Sequence, residues 1–153
     1  MDKKSSEIIN QFKLLPHPEG GWFREVLRSE SYLIRKDGEK RNNITGIYYL
    51  LRKNEISAWH RFNYDDEVWI YLQGAPLNLW CLDHGNKDLR RLRLDSNNPI
   101  EMIPAGYWQA AKSSGAFTLA SCCVGPGFEF SDFDMLRNLD HYLRPTKAVK
   151  ELI

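Results

Sequence analysis

The sequence predicts an all-β domain, a sandwich or jelly-roll barrel with only short terminal helices. Short alternating runs of branched and aromatic residues recur along the chain, as at residues 44–51 and 117–124. Turn-forming clusters of Gly, Pro, Asn and Asp separate them, as at residues 16–21, 36–40, 84–88 and 125–127. No long amphipathic helical segment intervenes, which excludes alternating α/β units. A chain of 153 residues fits one domain with its own core and has no room for a second.

In chain order, Ser5 or Ser6 is expected to cap a short helix with Ile8, Ile9 and Phe12 on one side. Pro16 stops it and the helix docks outside the sheets. Residues 22–28 alternate as a strand with charges on both faces, so one of Arg24 and Glu25 faces a polar cavity unless the strand is a salt-bridged edge. Residues 29–35 form another short strand, and Gly38 tips the turn after it. Residues 44–51 read as a buried strand in which Gly46 marks a bulge or a close backbone approach, and which is also the natural surface for a second copy. Residues 57–62 and 67–72 follow, joined by a polar hairpin turn at 63–66. Residues 77–83 and 89–94 are further strands, the second with Arg90, Arg91 and Arg93 as a solvated edge or an anion patch. Residues 99–104 lead to the turn at Pro104 and Gly106, which aims Gln109. Residues 117–124 form the last strong strand, a polar helix is expected over 134–142, and a frayed tail after Arg144.

Lys and Arg total 21 against 20 Asp and Glu, a net charge of +1, so no global field recruits a nucleic-acid polymer or an anionic membrane. The N-terminal residues lack a signal-peptide core and no segment suits a membrane span, so a cytoplasmic protein is expected. Cys81, Cys122 and Cys123 show no zinc spacing and are expected as reduced thiols, with Cys122 and Cys123 on opposite strand faces. Trp59, Trp69 and Trp108 are expected chiefly in packing.

The chemistry concentrates in residues 57–74, SAWHRFNYDDEVWIYLQG. Alternation puts Ala58, His60 and Phe62 on one face, and Glu67, Trp69 and Tyr71 on one face. If both faces turn inward, His60 and Glu67 share one interior space, where an imidazole and a carboxylate bind a metal, exchange protons with a substrate or hold a polar ligand. Glu19, between a proline and two glycines, reaches over the mouth of such a space or is a plain loop carboxylate.

The spacing of His60, Phe62, Glu67 and Gly74 resembles the first motif of the cupin superfamily, with phenylalanine in place of its second histidine. Pro104, Gly106 and Gln109 resemble the second motif, with glutamine in place of its histidine. Together with PHPEGGW at 16–22, WHR at 59–61 and GPGF at 125–128, the pattern resembles a cupin subgroup of unassigned role over about residues 8–139. The resemblance implies a double-stranded β-helix, usually a homodimer, as a single cupin domain within 1–153.

Metal-dependent cupins present three histidines and a glutamate. Here only His60, Glu67 and Gln109 stand at donor positions, and an amide is a poor ligand beside imidazole. Metal-free cupins acting on nucleotide sugars pair a histidine base with a tyrosine acid, which implies His60 as base, Glu67, Asp65 or Asp66 setting its tautomer, and Tyr71 or Tyr48 as acid. Arg24 or Arg61 would then hold a phosphate or carboxylate, with Trp69 and Gln109 completing the ligand site. The expected function is a small-molecule-binding barrel, a metal-independent isomerase or epimerase of a sugar- or nucleotide-like ligand. No cofactor is expected beyond a weakly held divalent ion. Two alternatives stay open: a binding or sensing barrel without turnover, and a metal-dependent oxygenase or lyase with a degenerate ligand set. His60 as a core imidazole bonded to Glu67 is the plainer reading of that pair.

Overall fold

The computed structural model describes residues 3–153. A helix, α1 (Lys3–Phe12), leads into the strands β1 (Leu15–Pro16), β2 (Trp22–Arg28), β3 (Tyr32–Ile34), β4 (Lys40–Asn42), β5 (Thr45–Arg52) and β6 (Ile56–Phe62). There follow β7 (Asp66–Gly74), β8 (Leu77–Leu82), β9 (Leu89–Leu94), β10 (Ile100–Ile103), β11 (Trp108–Ser113), β12 (Phe117–Gly125) and β13 (Phe133–Met135). A six-stranded sheet runs β1-β2-β5-β12-β7-β10 and a five-stranded sheet runs β13-β6-β11-β8-β9, with β3 and β4 as a separate hairpin. The main-sheet pairs are antiparallel. This is the jelly-roll arrangement of a double-stranded β-helix, with the two sheets facing each other rather than closing into one hydrogen-bonded barrel.

Alternation along each strand builds the space between the sheets. Tyr49, Leu51, Trp69, Ala120 and Cys122 from the first sheet meet Leu77, Leu79, Cys81, Leu94 and Ala111 from the second. Outside the first sheet, Ile8, Ile9 and Phe12 of α1 pack on Leu14, Leu50 and Leu119. Outside the second, Leu136, Ala148 and Leu152 pack on Trp59, Leu82 and Trp108. The expected frayed tail is therefore a docked segment, because the tryptophans of β6 and β11 need a cover.

Several sequence expectations change. The helix includes Ser5, which is buried, so it starts before either serine. Residues 63–66 are not a hairpin turn: β6 and β7 belong to different sheets, and the segment crosses between them. The polar helix over 134–142 is replaced by β13 and short 3-10 turns at Leu136–Asn138 and His141–Leu143. The pairing of β13 with β6 supplies backbone partners that the local pattern does not show. Residues 44–51 lie largely in β5, a central strand between β2 and β12 with α1 over it, so they offer no face to a second copy. Gly46 does mark a close approach, since a Cβ there would meet the Leu27 side chain at 3.0 Å. The strand 89–94 is an edge, with Arg90 and Arg93 paired to Asp88 and Asp95 and Arg91 over the Trp80 ring.

Candidate functional site

The space between the sheets is filled at one end and open at the other, where it forms a cavity of about 110 Å³. That volume holds several waters or a small organic group. Phe23, Glu25 and Arg28 of β2, Thr45 and Ile47 of β5, Phe62 of β6, Glu67 of β7 and Cys122 and Val124 of β12 line it. His17 and Glu19 enter from the loop before β2, and Phe128, Glu129 and Phe130 from the segment after β12.

The loop of residues 16–21 is fixed to the sheets by its backbone. His17 N–H donates to the Gly21 carbonyl at 3.0 Å, and Ala58 N–H to the Glu19 carbonyl at 2.8 Å. Gly20 has φ of 109°, open to glycine, and a Cβ would run into the Ile56 carbonyl. Its carbonyl accepts the Tyr49 hydroxyl at 2.7 Å. These contacts turn the Glu19 side chain inward, where it is 6% exposed.

Glu19 is the centre of a buried polar group. Ser57 Oγ donates to its Oε1 at 2.8 Å, while its Oε2 lies 3.3 Å from His60 Nε2 and 3.6 Å from His17 Nδ1. His60 Nδ1 lies 2.8 Å from the Ala58 carbonyl, which only accepts, so Nδ1 carries a proton. His60 Nε2 then faces Glu19 Oε2 across 3.3 Å, within reach of an ion pair when the imidazole is charged. His17 differs: its Nδ1 accepts the Glu19 N–H at 3.2 Å, leaving the proton of the neutral ring on Nε2. Burial pushes the His17 imidazole below its ordinary range more strongly than Glu19 raises it.

Glu67 stands across this group. It is 4% exposed, and burial together with the charge of Glu19 pushes its carboxyl up to about 8. Gln109 Nε2 donates to its Oε2 at 2.6 Å, and the Gln109 oxygen accepts Trp69 Nε1–H at 2.8 Å. An indole only donates, so this chain fixes which end of the amide faces Glu67. The Cys122 thiol, raised well above its ordinary range by burial, also hydrogen-bonds Glu67.

At the mouth, Arg28 bonds both Glu25 oxygens at 2.8 and 2.9 Å, Glu129 at 3.0 Å, Asn42 Oδ1 at 2.8 Å and the Phe128 carbonyl at 3.1 Å. Behind it, Arg35 and Arg41 of the β3–β4 region both bond Asp132, which anchors the segment carrying Phe128 and Phe130. Asp65 is buried beside this cluster with neither oxygen hydrogen-bonded, and Arg35 Nη1 is 3.8 Å away. Burial and the neighbouring Asp132 push Asp65 up to about 6.

Of the expected site residues, the structure brings together His60, Glu67, Glu19 and Gln109, with Trp69 behind Gln109. The direct partner of His60 is Glu19 rather than Glu67, and its tautomer is set by Ala58 rather than by Asp65 or Asp66. Asp66 instead accepts the Ala105 N–H at 2.8 Å. Arg24, Tyr48, Arg61 and Tyr71 lie elsewhere. Arg24 bonds the Phe12 carbonyl at 3.2 Å, and the Tyr48 ring packs at a tilt against Phe12 under α1. Arg61 pairs with Asp134 over the Trp108 ring, and the Tyr71 hydroxyl donates to the Gly74 carbonyl at 2.6 Å. In β2 it is Glu25, not Arg24, that meets the cavity. Missed by the sequence reading were His17, Phe23, Arg28, Cys122, Phe128 and Phe130. The PHPEGG motif, which sets His17 two residues from Glu19, and the GPGF motif, which ends on Phe128, are the signals that pointed to any of them.

The positions a cupin metal would use do not fit one. Phe62 offers no donor, the Gln109 amide is held between Trp69 and Glu67, and both His60 nitrogens are engaged. Among the described residues no three His, Cys, Asp or Glu side chains are grouped to hold a metal ion. No described helix is long and apolar enough to cross a membrane.

The family model described as Cupin superfamily (DUF985) matches residues 6–136. An uncharacterized protein of Saccharomyces cerevisiae is 27% identical over 167 residues, covering 94% of this chain and 82% of that protein. A hypothetical protein from Leishmania major superimposes with a TM-score of 0.78 at 28% identity, covering 85% of each chain. A Shewanella oneidensis protein does so with a TM-score of 0.76 at 30% identity, covering 86% of this chain and 83% of that one.

Proposed function

Since the chain belongs to the cupin superfamily, in the family designated DUF985, we propose that it binds a small polar molecule between its sheets and moves a proton on it without a metal, as an isomerase or epimerase does. The observation that carries this reading is the presence of two proton-holding centres on one small cavity. Glu67, raised to about 8, keeps its proton at neutral pH and sits near the range in which an acid both gives and retakes one. Glu19, coupled to His60 at 3.3 Å, is the second centre.

With a sugar-like ligand carrying a carbonyl, Glu19 takes the proton from the adjacent carbon, and the C–H electron pair becomes the carbon–carbon double bond of an enol. The carbonyl oxygen receives the Glu67 proton. Return of a proton to the opposite face of the same carbon, with the enol O–H proton going back to Glu67, completes epimerisation; return to the neighbouring carbon, with the hydroxyl proton of the first carbon lost as its carbonyl forms, completes isomerisation. His60 stands behind Glu19 as its proton partner, and Glu67 takes the acid role expected of Tyr71. Gln109 and Trp69 position Glu67. A nucleotide-like ligand loses support, because Arg24 and Arg61 are away from the cavity and Arg28 is engaged.

The test is proton exchange in deuterated water, followed by NMR over a panel of aldoses, ketoses and amino sugars, with and without chelator. Protein-dependent loss of the signal beside the carbonyl, insensitive to chelator and abolished in Glu67→Gln and Glu19→Gln, is the expected result. Binding without exchange would leave a non-catalytic binding barrel, and chelator-sensitive turnover would restore a metal.

A further inference from the structure

The same cavity has a charge and a surface that select among ligands. Resting on the reading of it as the ligand site, we propose that the ligand is a small organic ammonium ion carrying a hydroxyl or carbonyl oxygen, and that phosphorylated or carboxylated molecules are rejected.

The ionisable lining is one-sided. Three carboxylates, Glu19, Glu25 and Glu129, stand against one arginine, Arg28, and Glu67 adds a fourth when it ionises. A guanidinium has five N–H donors, and those of Arg28 are all taken by Glu25, Glu129, Asn42 and the Phe128 carbonyl. No guanidinium donor remains with which to hold an anion, and no other fixed cation among the described residues lines the cavity. An anion entering here would also meet the field of the carboxylates in a poorly hydrated space, where like charge is most costly.

The apolar part of the lining suits a cation as well. Phe23, Phe62, Phe128 and Phe130 contribute rings. Phe128 lies edge-on to Phe62 at 5.5 Å and to Phe130 at 4.8 Å, so three of them are contiguous. Ring faces attract cations and repel anions, and aromatic cages with nearby carboxylates are a recurring way to hold ammonium groups. A purely apolar ligand would use the rings but make no use of the charge of Glu19, Glu25 and Glu129.

An independent observation comes from His17, which has only 7% of its side chain exposed. Its ring lies 4.5 Å from that of Phe23 and 6.3 Å from that of Phe130, on the cavity wall. Nδ1 takes the Glu19 N–H, and Nε2, which carries the proton of the neutral ring, has no hydrogen-bond partner among the described residues. A donor so placed calls for an oxygen on the ligand.

Calorimetric titration with choline and ethanolammonium tests this against dimethylbutanol, the choline isostere with carbon in place of nitrogen, and dimethylbutanoate, its anionic counterpart. The ammonium probes are expected to bind at least about tenfold more tightly than dimethylbutanol, a margin within reach of cation–π and carboxylate attraction combined. Dimethylbutanoate is expected not to bind. Choline affinity is expected to rise between pH 7 and 9 as Glu67 ionises, while that of dimethylbutanol stays level. The groups facing Glu67 are Glu19 with His60 behind it, Gln109, Cys122 and Trp69, and none of these is a lysine or arginine. Glu67→Gln is expected to collapse the ratio of choline to dimethylbutanol affinity. Phe128→Leu, which removes a ring while keeping an apolar side chain, is expected to lower choline binding more than dimethylbutanol binding. Equal or tighter binding of dimethylbutanol or dimethylbutanoate would overturn the ammonium assignment and leave the cavity as a ligand site. Failure of all four probes would remove the cavity reading together with it.

Discussion

Glu67 carries the largest consequence of a single residue. Its carboxyl stands at about 8 in the folded chain against an ordinary 4.5, so between those values the folded state holds a proton that the unfolded state has released. The sign is then fixed: stability falls as pH rises through that window, by about 1.4 kcal/mol per unit at most, and levels off above it. Glu67→Gln cannot ionise and keeps a similar shape, so its melting temperature is expected to fall less from pH 5 to pH 8 than that of the parent, by scanning calorimetry. An equal fall in both would place the burial cost elsewhere. Asp65 obeys the same sign in a lower window, from 3.8 to about 6. Asp65→Asn is expected to flatten stability between pH 4 and 6 while leaving the slope above pH 6 intact, measured by urea titration across that range.

At the scale of elements, the loop of residues 16–21 and the C-terminal segment decide most. The loop delivers His17 and Glu19, and its geometry depends on Gly20 at φ of 109° against the Ile56 carbonyl. Gly20→Ala is expected to cost about 1–3 kcal/mol in strain and to withdraw Glu19 from His60. Chemical denaturation reads the first effect, and the NMR chemical shifts of the His60 ring read the second. The C-terminal segment buries Leu152 to 3% exposure and receives Trp59 Nε1–H on the Val149 carbonyl at 3.0 Å. Leu152→Ala is expected to cost about 2–4 kcal/mol in urea unfolding, whereas a frayed tail would give a change near zero.

For the whole molecule, the chain passes repeatedly from one sheet to the other, as from β5 to β6 to β7 and from β10 to β11 to β12. Neither sheet is therefore a separate stretch of sequence, and neither keeps its inner face covered without the other. Unfolding is expected to be one cooperative transition, with tryptophan fluorescence and far-ultraviolet circular dichroism giving coincident urea curves. Separated midpoints would show that a sheet survives alone. The same alternation sets the limits of legibility. Strands such as 22–28, 89–94 and 117–124 were visible because runs rich in branched, aromatic and leucine residues between turn signals are local features. The strands β4, β10 and β13 were not, since Lys40–Asn42 is polar, Ile100–Ile103 is an exposed edge and Phe133–Met135 gains its order from pairing with β6.

The sequence by itself determined the all-β class, the strand faces that His60 and Glu67 share with their neighbours two residues away, and the place of Gln109 after a tight turn. Each follows from a period of two residues or a turn signal a few residues long. Only the tertiary structure decided which of these groups meet. Glu19 rather than Glu67 faces His60 because β6 and β7 lie in opposite sheets, while the loop of residues 16–21 is tied to β6 by the Ala58 N–H. Glu25 rather than Arg24 meets the cavity, and Tyr48 lies under α1, because parity fixes that neighbours face opposite ways and not which way is in. That choice belongs to the burial of whole sheet faces, a property of elements far apart in the chain.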